Sequence, residues 1–208
     1  MRKQISFNYT FIDHHNEHNY FVNVTNVDAF NGLFKFDNNL FFLYGPSKSG
    51  KSFLSKIWLK KNNAIEFKNN FEILLDSKKN IVIDDLQLFN EENIFHIVNN
   101  SILNNSKILI TSNKKIHEIK FKYKDLSSRL KTFLFLEIKQ PNDEMLITIL
   151  TKLLVDKQFI IKSNDIFEYI LRRVDRSYKG IYDIVNSLDV LSLEKKRQLT
   201  IPLIKEIL

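Results

Sequence analysis

Five short apolar runs punctuate the chain, each bounded by polar or structure-breaking residues: Leu40-Phe41-Phe42-Leu43-Tyr44, Ala64-Ile65-Glu66-Phe67, Ile81-Val82-Ile83-Asp84, Lys107-Ile108-Leu109-Ile110-Thr111 and Phe133-Leu134-Phe135-Leu136-Glu137-Ile138. They are rich in β-branched and aromatic residues and too short for helices, and segments of helical spacing such as Phe53 to Leu59 and Glu91 to Leu103 separate them. That alternation predicts an α/β fold with a five-stranded parallel sheet covered by helices on both faces. Beyond Gln140-Pro141-Asn142 only helical periodicity remains, over 143–156, 164–174, 177 to about 191 and 202–208. Ser163 and Thr200 stand as N-caps, and Pro202 falls in a first turn. The expected organisation is an N-terminal tail over 1–12, an α/β domain over 13–140 and a small all-helical domain over 141–208.

Between the first strand and the first strongly periodic helix lies Gly45-Pro46-Ser47-Lys48-Ser49-Gly50-Lys51-Ser52, a full match to the phosphate-loop pattern G-x-x-x-x-G-K-[ST]. The strand before and the helix after supply the context the motif needs. Backbone N–H groups and the positive helix end would cradle a polyphosphate, Lys51 would reach the β and γ phosphates, and the Ser52 hydroxyl would hold Mg²⁺. The third strand ends in Asp84-Asp85. Its first carboxylate can bind the metal through water and its second can orient or deprotonate an attacking water. The fourth strand ends in Thr111-Ser112-Asn113, where Asn113 can position that water. Arg129, just before the fifth strand, is poorly placed for its own nucleotide but can act as a finger toward a neighbouring subunit.

Composition changes this picture only at its edges. With 208 residues and 44% hydrophobic content the chain can fold a large domain and a small appendage. It has no cysteine, so disulfides and thiolate metal sites are excluded. The start of the chain lacks an apolar signal core and no stretch reaches membrane-span length, so a soluble cytoplasmic protein without membrane partners is expected. A net charge of +7 suits acidic partners, although the many Asn, Lys, Ile and Phe with only four Gly also fit a low-GC codon supply. Lys120-Phe121-Lys122-Tyr123-Lys124 and Lys195-Lys196-Arg197 are basic clusters that can touch phosphate nonspecifically or serve as solvated faces. His14, His15 and His18 read as solvent or structural histidines, because no acidic or cysteine ligand of suitable spacing joins them.

Phosphate loop, Asp-Asp, polar sensor, arginine and helical lid in this order resemble AAA+ ATPases. Within them, Ile81-Val82-Ile83-Asp84-Asp85-Leu86-Gln87 is similar to the I-D-D-[IL]-Q sequence of the DnaA clade, and Asp125-Leu126-Ser127-Ser128-Arg129-Leu130 with the ending from Arg197 to Leu208 resembles the Hda-like branch. The likeness runs from Phe21-Val22 to the last residue. It implies an AAA+ P-loop NTPase fold with a lid, ADP or ATP with Mg²⁺ as ligands, Asp84 as the Mg²⁺-associated carboxylate, Asp85 as the catalytic-position acid, Asn113 as first sensor and Arg129 as the finger presented to ATP on DnaA. It also implies that Tyr20, Phe21, Val22 and Asn26 wrap adenine and ribose. In the lid segment D-R-x-x-R, Asp175-Arg176-Ser177-Tyr178-Lys179 puts Lys179 at the second-sensor position, a point charge without the guanidinium fork. Gln4-Ile5-Ser6-Phe7 fits the Q-[LI]-x-[LF] peptide by which Hda-like proteins dock on the sliding clamp, the β subunit of DNA polymerase III.

The function implied is a DnaA-related regulator of replication initiation that stimulates hydrolysis of DnaA-bound ATP. Initiators of the clade carry a helix-turn-helix domain after the lid; none follows Leu208, so DNA contact is expected mainly through the clamp. Whether the chain turns over its own ATP, and whether it forms homo-oligomers, stay open at this level. The alternative is an autonomous ATPase of helicase-loader type, which shares the loop and finger but has no use for the clamp peptide; a non-catalytic scaffold is a third reading.

Overall fold

The computed structural model describes residues 19–68, 78–161 and 163–208. Strands β1 (Leu40–Tyr44), β2 (Ile65–Glu66), β3 (Ile81–Ile83), β4 (Ile108–Ser112) and β5 (Leu134–Glu137) form one parallel sheet in the order β2-β3-β4-β1-β5. Helices α1 (Val27–Lys35), α2 (Lys51–Lys61), α3 (Glu91–Leu103) and α4 (Lys124–Leu130) flank it. The helices α5 (Asp143–Asp156), α6 (Asp165–Leu171), α7 (Tyr178–Lys195) and α8 (Ile201–Ile204) follow β5.

Successive strand residues point to opposite faces, and both faces are buried. Phe42, Ile81, Ile83, Ile108 and Ile110 pack with Ile94, Ile97 and Val98 of α3 and with Leu126 and Leu130 of α4. Their neighbours Phe41, Leu43, Val82 and Leu109 pack on the other side with Ala29 and Leu33 of α1 and Leu54, Ile57 and Trp58 of α2. This is why the strands read as continuous apolar runs rather than as an alternating pattern. A third core, including Leu146, Leu150, Leu154, Ile170, Ile181 and Leu188, belongs to the C-terminal helices. Met145 and Tyr178 leave that bundle to join the second sheet core, so the helical unit is anchored to the sheet by buried side chains.

Several expected elements shift. Helix α1 was not anticipated, although Ala29, Phe30, Leu33 and Phe34 carry an i, i+1, i+4, i+5 apolar stripe that signals it. Helix α6 stops at Leu171, where the Arg173 amide reaches back only three residues to Ile170 O and tightens the last turn. Its N-cap is Asn164 rather than the expected Ser163, which stands one residue further out with its Oγ accepting the Asp165 N–H at 3.2 Å. Helix α7 runs past Leu191 to Lys195 and ends on Lys196 in the left-handed region (φ 51°), with the Arg197 amide bonded to Ser192 O. Thr200 caps α8 through the Leu203 amide, and that helix ends at Ile204. Among the described residues no helix is long and apolar enough to cross a membrane.

Candidate nucleotide-binding site

Strand order brings the candidate residues together. β1 lies between β4 and β5, and β4 lies between β1 and β3, so the carboxyl ends of β1, β3 and β4 open side by side. From them emerge the phosphate loop, Asp84-Asp85 and Ser112-Asn113, with the Gly45 amide bonded to Ser112 O at 3.2 Å. Two loop positions require glycine. A Cβ at Gly45 would lie 2.6 Å from Ile138 O, and Gly50, the residue that enters α2, has φ 93°. No side chain caps α2, and an anion seated on the loop would meet the positive end of this helix.

Lys51 is 7% exposed and donates to Gly45 O (2.8 Å) and Pro46 O (2.7 Å). Burial pulls its pKa down to about 8, against the opposing pull of the Asp85 and Asp84 carboxylates. Thr111 ties the acidic pair in place: its hydroxyl donates to Asp84 Oδ1 (2.7 Å) and accepts the Asp85 N–H (2.8 Å). Asp85 itself takes φ 64°, a conformation that turns its side chain toward β4, where Asn113 Nδ2 donates to Oδ2 at 3.2 Å. Asp85 and Asn113, 28 residues apart in sequence, are thus in direct contact.

Two atoms bear on whether a nucleotide and its metal fit. Ser49 Oγ and Asp85 Oδ1 are buried without a hydrogen-bond partner, an arrangement that costs free energy unless a ligand or water completes it. Ser52 is exposed at the start of α2, and Asp84 has one carboxylate oxygen beyond the one held by Thr111. These oxygens suit Mg²⁺, which would supply neutralisation of phosphate charge. The site fits both.

A cleft of about 110 Å³ lies between the loop, the segment before α1 and the C-terminal helices. Tyr20 stacks between Phe30 (6.0 Å) and Phe53 (5.8 Å), and burial raises its phenol pKa. Asn26 is 3% exposed, and its side chain is engaged within its own segment: Nδ2 donates to Tyr20 OH and Phe21 O, and Oδ1 accepts the Asn23 amide. It lines the cleft as a brace. Phe21 also lines it, but Val22, expected beside it, does not.

On the lid side, Met145, Thr148, Ile149, Lys152, Tyr178 and Tyr182 complete the wall. None of these was anticipated. The periodicity of α5 marks Met145 and Ile149 as apolar, but nothing local says which core they face. Lys48 lies over the Tyr182 ring at 5.7 Å, linking the loop to α7, and Lys152 donates to Asn19 O and lies over Phe53 at 5.5 Å. Lys179, the second-sensor position, is exposed in the first turn of α7 and does not line this cleft.

Arg129 is remote from this constellation. β5 runs parallel to β1, with Leu134 opposite Phe41, so the chain enters β5 at the pole opposite the phosphate loop. Arg129 sits in the last turn of α4 just before that entry, exposed, with its guanidinium over Phe95 at 5.8 Å. Gln4, Ile5, Ser6 and Phe7 lie outside the described residues, as do His14, His15 and His18.

Residues 143–208 match the family described as Hda, lid domain. The chain is similar to the chromosomal replication initiator protein DnaA of Buchnera aphidicola subsp. Cinara cedri (26% identical, covering 92% of this chain and 52% of that protein) and of Flavobacterium psychrophilum (29%, 72% and 31%). It is also similar to an uncharacterized protein of Haemophilus influenzae (25%, 81% and 80%). The chain therefore spans about half or less of the DnaA relatives it matches. Among solved structures, it superposes on domain III of Thermotoga maritima DnaA with a TM-score of 0.69 (18% identity, 86% of this chain, 88% of that one). It superposes on AMPPCP-bound DnaA from Aquifex aeolicus with a TM-score of 0.65 (16%, 88%, 68%). The fold is that of these DnaA structures, and the helices after β5 are the part that matches the Hda lid family.

Proposed function

From a DnaA-related AAA+ fold carrying an Hda-type lid, we propose that this chain is a cytoplasmic, nucleotide-bound regulator of replication initiation that supplies Arg129 to ATP held by DnaA. Adenine nucleotide, ADP or ATP, sits with its phosphates on the 45–52 loop against Lys51 and its base in the cleft walled by Tyr20, Phe21 and Tyr178. The observation that carries this reading is the separation of parts: the chain's own site contains an acid, a sensor and a loop lysine but no arginine from α4, while Arg129 is exposed at the opposite pole. An arginine there serves a nucleotide other than the chain's own. Gln4-Ile5-Ser6-Phe7 is the docking peptide for the sliding clamp, which delivers the protein to DNA; homo-oligomers would use the same exposed guanidinium on a second copy.

A specific feature also favours slow turnover at the chain's own site. Asn113 Nδ2 holds Asp85 Oδ2 directly, which leaves Oδ1, buried and without a partner, as the carboxylate oxygen that remains to accept a proton.

The test measures hydrolysis of DnaA-bound ATP with DNA-loaded clamp, in the presence of the full chain or of Arg129→Ala. Loss of an arginine finger costs about 10³-fold or more in rate, so the variant should abolish stimulation while binding ATP as before. Equal stimulation by both proteins rejects the assignment.

A further inference from the structure

Two stretches of this chain are strongly basic: 48–61, which overlaps the phosphate loop and has five Lys and no acid, and 114–131. Segment 114–131 holds seven Lys and Arg against two Asp and Glu, in a protein whose whole excess is +7. Its middle, 119–123, joins the preceding turn to α4 and bends at Ile119 and Lys122, and burial alternates along 119–122. Ile119 and Phe121 pack against the first sheet core, while Lys120 and Lys122 stand out in solvent and Lys124 continues the row at the start of α4.

The row is built rather than loose. Glu91, the first residue of α3, accepts the backbone amides of Lys122 (2.8 Å) and Tyr123 (3.2 Å) with one carboxylate oxygen. The other acids nearby are Glu118, which accepts the Lys115 amide, and Asp125 in the first turn of α4. Lys115 pairs with Glu137 at 3.3 Å, whereas among the described residues Lys120, Lys122 and Lys124 have no ion-pair partner. Three cations with no ion-pair partner among the described residues thus stand along the approach to, and the first residue of, the helix that bears Arg129.

We propose that Lys120, Lys122 and Lys124 form a docking comb for an acidic protein surface, the carboxylate-bearing rim around the nucleotide of the partner that receives Arg129. This rests on the reading of Arg129 given above. Single-stranded nucleic acid is the other polyanion such a row can meet, but the geometry favours protein. Phe121 is spent on the core, and Tyr123, the exposed aromatic beside the three lysines, has Lys122 Nζ 5.8 Å over its ring, leaving few faces in this row for bases to stack on. A comb of this kind acts mainly on encounter: complementary charge raises the association rate and makes it fall with salt.

The experiment compares the full chain with Lys120→Gln/Lys122→Gln/Lys124→Gln, following association with ATP-loaded DnaA by stopped flow from low to moderate salt. All three side chains are exposed, so thermal unfolding and ATP binding should match the parent and certify the fold. The expected result is an association rate about tenfold lower at low salt with a flattened salt dependence, a dissociation rate little changed, and full stimulation of hydrolysis at saturating concentration. An unchanged rate and salt slope, in a preparation where Arg129→Ala still abolishes stimulation, overturns the comb and leaves the finger standing. No association of the parent chain with DnaA removes both. In a parallel arm with oligo(dT), loss of binding by the triple variant without any change toward DnaA assigns the row to nucleic acid and overturns the proposal.

Discussion

At the phosphate end of the cleft, backbone does most of the holding: Gly45 and Gly50 shape the loop, Lys51 is latched onto two of its carbonyls, and no side chain caps α2. At the end proposed for the base, side chains from widely separated segments meet, with Tyr20 and Asn26 from before α1, Phe53 from α2, Met145 and Lys152 from α5, and Tyr178 and Tyr182 from α7. The first end is one contiguous motif; the second exists only once the lid has packed on the sheet. They should therefore fail differently, and a phosphate-only ligand such as tripolyphosphate can be used to tell them apart.

The largest effect is expected at Tyr178, which is 1% exposed and joins the lid to the sheet core, with its hydroxyl donating to Lys139 O at 3.3 Å. Tyr178→Ala should cost about 3–5 kcal/mol, as for other large aromatic truncations in cores. Thermal melting and ATP titration would both register it, whereas tripolyphosphate affinity at a temperature where the sheet domain stays folded should hold. If ATP and tripolyphosphate weaken together, the two ends are one unit.

Asn26→Ala comes next. It strips partners from the buried Tyr20 hydroxyl, Phe21 carbonyl and Asn23 amide, a loss of about 1–3 kcal/mol. ATP affinity should fall about 5- to 150-fold with tripolyphosphate affinity unchanged. Equal ATP affinity in isothermal titration would show that the brace has no role in holding the base.

The smallest effect is a pH dependence confined to the phosphate end. In the free protein Lys51 loses its proton near pH 8, so affinity for tripolyphosphate should be level below that value and decline above it. A bound polyphosphate raises the lysine pKa again, so binding above pH 8 should take up a proton. Stability of the unliganded fold runs the other way. Between about 8 and the ordinary lysine value of 10.5 the unfolded chain binds more protons, so stability rises with pH across that window. Lys51→Met should flatten both profiles; a decline in affinity that persists in the variant would belong to another group.

The same division governs what could be read before the fold was known. The loop, the Asp84-Asp85 pair and Asn113 were legible because each is a strand end followed by a short polar signature, and strand ends can be located from apolar runs. Val22 was placed beside Phe21 by resemblance yet does not line the cleft, whereas Lys152 and Tyr182, which no motif marks, do. Helical periodicity tells that a residue lies on a helix face but not what that face meets.

What the amino-acid sequence determined by itself is therefore what depends on contiguous residues: five strands, most of their helices, the phosphate loop and the order of Asp84-Asp85, Asn113 and Arg129 along the chain. The tertiary structure alone decided the strand order β2-β3-β4-β1-β5, the contact of Asp85 with Asn113, the lid's wall over the cleft, and the exile of Arg129 to the far pole. The physical reason is that hydrogen-bonded turns and apolar periodicity are local properties. Which strand lies beside which is set by how crossovers close and which apolar faces can be buried together, a choice made among residues distant in sequence.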